Sequence, residues 1–149
     1  MAYQAKRKGI YTEDFELTEE DGTVVHTLHV ALDPDNMARK LSEKHLELAR
    51  ALRDVQDVRQ GSTEEEKARG LEVLGRAVTD LLEAVFGPED AETIIGFYDG
   101  RYVEMCREVV PFITGVVIPK VREMARDNRK AVLNSYNRSQ RRLLGRRKL

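Results

Sequence analysis

The spacing of apolar residues changes period once along this chain, and that change limits the folds open to it. Over residues 15–32 the apolar positions lie two apart: Phe15 and Leu17, then Val24, Leu28, Val30 and Leu32, with His26 in the same phase. From Met37 onward they recur every three or four residues, as at Leu41, Leu48, Leu52 and Val55. Period two marks a half-buried strand, and a period near 3.6 marks a helix with one dry face. Asp21-Gly22, in "EEDGT", tolerates the positive φ of a tight reversal and joins two strands into a hairpin over residues 10–32. A lone hairpin is marginal in water, so its apolar face must pack on the helices or on another chain.

The helices are punctuated locally. Asp33 caps the first, with Pro34 at the first helical position, where a missing N–H costs nothing, and Gly61 ends it. Thr63 and Glu66 form a capping box for the second, whose apolar face is Leu71, Leu74, Val78, Leu81, Leu82 and Val85. Gly87 stops it, and Pro88 opens a short helix. Asp99-Gly100 breaks the chain again before a helix with Tyr102, Met105, Cys106 and Val109 inward. Pro111 predicts a helix end or kink near Val110, or the start of a new helix. The β-branched run "FITGVVI" leaves a strand open as well. The expected architecture is α+β, mostly α: an arm over residues 1–9, then one domain over residues 10–125. In that domain a β-hairpin (10–32) precedes a bundle of four to five helices (33–125), and a basic tail, a frayed helix or disordered, occupies 126–149.

Charge divides the same way. Net charge is −1, but residues 126–149 hold nine Arg or Lys and one acid, leaving sixteen bases against twenty-five acids elsewhere. An acidic body thus carries a basic arm, the pattern of an appended segment with its own partner. The 34% of charged residues and the absence of Trp suit helices with one wet face better than a β-sandwich. The first fifteen residues have no apolar h-region, so no signal peptide is expected. The apolar run near residues 109–121 is interrupted by Pro111, Gly115, Pro119 and Lys120, short of the ~20 residues of a membrane helix. The expected setting is cytoplasmic.

Chemistry-bearing residues are few. A single cysteine, Cys106, rules out an intrachain disulfide. It sits on an apolar face without a nearby base, so core packing suits it better than nucleophilic catalysis. His26 and His29, three apart on a strand, face opposite ways and cannot hold one ion. "DPDN" at 33–36 lacks the glycine and the final glutamate of a calcium loop and reads as a cap. No phosphate loop or nucleophile elbow is present. No catalytic residue, cofactor or metal is therefore expected. The basic arm offers Arg138, Arg141, Arg142, Arg146, Arg147 and Lys148 to phosphates, with Tyr136 to stack on a base. Nucleic-acid binding or a regulatory accessory role is the alternative function this arm supports.

Most aromatic and β-branched residues gather in "GFYDGRYVEMCREVVPFITGVVIPKVREM", residues 96–124. Phe86-Gly87 with Glu89, Phe97-Tyr98, Tyr102, Glu104-Met105, Pro111-Phe112-Ile113 and Pro119-Lys120, together with "LHVALDPDNMARKL", resemble the small tail assembly chaperones of long-tailed bacteriophages and prophages in Gram-positive hosts. The resemblance spans roughly residues 10–125 and leaves the basic end unplaced. It implies a non-enzymatic protein, monomer or homo-oligomer, that coats the long tape-measure protein and leaves as tail tube subunits polymerise. A frameshifted longer product often accompanies such proteins. The resemblance further implies that residues 97–121 form the hydrophobic surface or the bundle core beneath it, with partner contacts at Phe97, Tyr98, Tyr102, Met105, Phe112 and Ile113, and Tyr98, Tyr102 and Phe112 foremost.

Overall fold

The computed structural model describes residues 2–7, 9–57 and 63–147, with side chains to residue 143. Two antiparallel strands, β1 (Tyr11–Thr18) and β2 (Val24–Leu32), form the expected hairpin. Their register runs from Tyr11 opposite Leu32 to Leu17 opposite His26, with an irregularity at Leu17/Thr18. Gly22, at φ +90°, takes the left-handed position of the turn. The Asp21 carboxylate accepts the Thr23 N–H at 2.9 Å, and the Thr23 side chain, then its backbone N–H, hold the Asp21 pKa below its usual value. Tyr11, Leu17, Leu28, Val30 and Leu32 are buried. Val24 and His26 share their phase but are exposed. Burial, then the Glu13 carboxylate, pushes the Tyr11 phenol up to about 12.

Helix α1 (Pro34–Asp57) begins as the Asp33-Pro34 pair dictates. The Asp33 carboxylate accepts from the Asp35 N–H at 3.2 Å and from the Asn36 amide at 2.7 Å. Leu41, Leu48 and Ala51 are buried, whereas Leu52, expected on the stripe, is exposed. The helix end expected at Gly61 lies outside the described residues. Helix α2 (Glu64–Phe86) is capped by Thr63, whose hydroxyl accepts the Glu66 N–H at 3.2 Å. It is the central helix, packing on α1 and β2 and burying Leu74, Ala77, Val78, Leu81, Leu82, Val85 and Phe86. Leu71, in its second turn, is exposed rather than inward.

Gly87 ends α2 at φ 86°, ψ 162°, donating its N–H to the Glu83 carbonyl, and α3 (Pro88–Phe97) follows at once. That backbone region is nearly closed to side chains. A Cβ at Gly87 would meet nothing within 4 Å, so the cost of filling it is purely conformational. Gly87→Ala is expected to lower the unfolding free energy by about 1–3 kcal/mol, read as a lower urea midpoint at unchanged slope.

Beyond a turn at Asp99 and Gly100, four helical pieces follow one another: α4 (Tyr102–Glu108), α5 (Val110–Phe112), a π turn (Ile113–Val117) and α6 (Ile118–Arg147). Val109 is the joint between the first two, and Pro111 lies in the first turn of α5. No strand forms at "FITGVVI". The wider π turn there closes with the Ile118 N–H on the Ile113 carbonyl. It immediately precedes Pro119, whose ring would press on the carbonyl four residues back in a straight α-helix, and the wider turn makes room for it. The basic segment expected to fray is the distal part of α6, so the boundary drawn at 126 falls inside a helix. Ile118, Val121 and Ala125 are buried where α6 packs along α1, and the Asn128 amide reaches both Asp35 oxygens at 3.3 Å. No polar or charged side chain is buried among the described residues.

Candidate partner-binding surface

Six residues between 97 and 113 were the sequence's candidates for partner contact, and the fold separates them. Met105 and Ile113 are 0% exposed, so they belong to the core and are out of reach of a partner while the fold is intact. Phe97, Tyr98, Tyr102 and Phe112 are half-buried, each packed on the core with an edge left open.

Phe97 and Tyr98 meet edge to face at 5.0 Å, and His26 from the hairpin stands 6.4 Å from Phe97. Phe112 lies elsewhere, 4.6 Å from Phe15 and 6.1 Å from Phe86. These aromatic contacts clamp the hairpin to the helices. The sequence places Phe15 in the strand pattern and Phe86 in the stretch that carries the resemblance, but only tertiary packing brings them to Phe112.

The turn between α3 and α4 is tied by Arg101, which donates to the Tyr98 carbonyl at 3.2 Å and pairs with Asp99 at 3.4 Å and Glu104 at 3.2 Å. Burial, then the Glu108 and Glu104 carboxylates, raises the Tyr98 pKa. Val103, on the turn just beyond, is 64% exposed. The corner thus presents apolar edges beside a rim of paired charges, Arg101 with Asp99 and Glu104, and Arg107 with Glu108. Cys106 is half-buried, and burial pushes its thiol up, away from the thiolate a nucleophile needs.

Tyr102 has a dedicated seat. A Cβ at Gly75 of α2 would come within 2.7 Å of the Tyr102 ring. Gly75→Ala is therefore expected to destabilise the protein, overpacking outweighing the ~1 kcal/mol that alanine gains over glycine within a helix. In a Tyr102→Ala background the same substitution is expected to stabilise by up to about 1 kcal/mol. A double-mutant cycle in urea reads this change of sign.

Of the arm residues, Arg138, Arg141 and Arg142 are exposed on α6. Arg146 and Arg147 lie in its last turn, and Lys148 is outside the described residues. His29 pairs with Asp14 at 2.6 Å on the face of the hairpin opposite His26. No three His, Cys, Asp or Glu among the described residues gather as a metal site. No described helix is long and apolar enough to cross a membrane. No protein family, curated protein or solved structure matches the chain.

Proposed function

We propose that this chain is a tail assembly chaperone, a binding protein that keeps the tape-measure protein of a long-tailed phage soluble in the host cytoplasm while the tail assembles. The observation that carries this reading is the apolar corner between α3 and α4. It is built from Phe97, Tyr98 and Tyr102 beside exposed Val103, in the same stretch that carries the resemblance to such chaperones. An amphipathic client helix docks its apolar face on such a surface. Each contact is small, and many copies along one long client add by avidity. The reading is tested by the gene neighbourhood and by capture. A major tail protein gene upstream, a long helical tape-measure frame downstream and co-purification with its product support it. Failure to bind any segment of that product overturns it.

A second reading, nucleic-acid binding through α6, is favoured by the exposure of Arg138, Arg141 and Arg142 on one helix. It requires retention of duplex DNA or RNA that weakens steeply with salt.

A further inference from the structure

The two ends of the molecule carry opposite charge that the chain does not neutralise. Residues 9–38 contain eight acids and no Lys or Arg. Six of those acids, Glu13, Asp14, Glu16, Glu19, Glu20 and Asp21, are exposed on the hairpin. Among the described residues none of the six pairs with a Lys or Arg; the only ion pair they make is that of Asp14 with His29. On α6, Arg129, Lys130, Arg138, Arg141 and Arg142 are exposed and likewise make no ion pair.

These two regions face away from each other. Phe15, midway along β1, stacks near Phe112 just before α6, whereas Asn128 within α6 bonds Asp35 beside the open end of the hairpin. Toward its tip the hairpin therefore runs opposite to α6. The tip lies toward one end of the body and α6 runs to the other, where residues 131–139 pass beside Arg7, Gly9 and Ile10 before the helix continues to Arg147. The acidic tip cannot meet the basic helix of its own chain.

The distal helix also lacks cover for an apolar seam. Ile118, Val121 and Ala125 are buried against the body, and the same side of the helix continues as Val132, Tyr136 and Leu143, which are 69%, 61% and 55% exposed. At 100° per residue Lys130, Arg138 and Arg141 lie on the opposite side, with Arg142 at the flank. The hairpin offers the complement to that basic side, exposed acids along β1 and at its turn.

We propose that copies of this chain associate head to tail, the distal half of α6 of one copy docking on the acidic hairpin of the next. Pairing two α6 helices through the seam would leave the basic side and the acidic hairpin both unanswered, and a polyanion would answer only the basic side. The hairpin of a second copy, set against the Lys130, Arg138 and Arg141 side, answers both charges. The acids on β1 also discourage strand-to-strand pairing there, so the contact runs through side chains and responds to salt. A head-to-tail contact between unlike surfaces closes into a ring or extends as a chain. The inference goes beyond the chaperone reading and does not depend on it, since its test contains no client.

The test is sedimentation of the full chain over a range of concentration and ionic strength, with charge-reversed variants at exposed positions and circular dichroism to confirm their fold. Wild type is expected to associate at low salt and dissociate as the screening length falls from ~10 Å at 0.1 M toward ~3 Å at 1 M. Arg138→Glu with Arg141→Glu and Arg142→Glu should weaken association at least about tenfold, as should Glu16→Lys with Glu19→Lys and Glu20→Lys. Mixing the two triple variants should restore association, each reversed surface meeting its reversed complement. A wild type that stays monomeric at low salt overturns the proposal. So does association indifferent to both reversals, or a monomer that instead binds duplex DNA or anionic vesicles through α6.

Discussion

Ile113→Ala is expected to lower the free energy of unfolding by about 2–5 kcal/mol, a large share of the ~5–15 kcal/mol that stabilises a domain of this kind. Ile113 is 0% exposed and is the first residue of the π turn, whose carbonyl receives the Ile118 N–H. The substitution removes three buried carbons from the core beneath the α4–α6 run, leaving a cavity the surrounding helices fill only in part. The backbone bond remains, so the loss is one of packing, and the urea midpoint should fall without a change in slope. Met105→Ala, equally buried, should behave alike. Both variants should bind client normally under conditions where they are fully folded, because neither side chain reaches the surface.

Val103→Asp is expected to do the reverse. Val103 is 64% exposed and is the second residue of α4, where a carboxylate suits the positive end of the helix. Stability should stay within about 0.5 kcal/mol of wild type. Affinity for the tape-measure client should fall at least about tenfold, since docking an apolar helix on the α3–α4 corner would bury an unpaired charge. Unchanged affinity would remove the corner from the binding surface. Titration of a labelled client segment against both proteins reads the difference.

What was legible in the sequence was what local chemistry decides. Alternation over residues 15–32, the Asp33-Pro34 start, the Thr63 and Glu66 pair and the Gly87-Pro88 junction each specify a backbone event from neighbouring residues, and each appears in the fold. The rest depends on what packs against what. Leu52 on α1 and Leu71 on α2 fit their helical stripes but are exposed, while Ala51, next to Leu52, is buried. Met105 and Ile113 share a stretch with Tyr98 and Tyr102, and only the fold separates core from surface. Pro111 leaves a helix end, a kink or a new start open; the fold places it in the first turn of α5 after a joint at Val109, and a π turn carries the chain on into α6. The distal part of α6 looked weakly patterned because Val132, Tyr136 and Leu143 are spaced by serines and arginines, although they continue the seam begun at Ile118.

The central claim, that this chain holds a tape-measure protein in solution, is tested most directly by producing that protein with and without it and measuring the fraction left soluble after centrifugation. The account predicts a tape-measure protein that pellets alone and stays in the supernatant, bound to many copies of this chain, when the two are made together. A tape-measure protein equally soluble in both cases, or one that pellets in both, would contradict it.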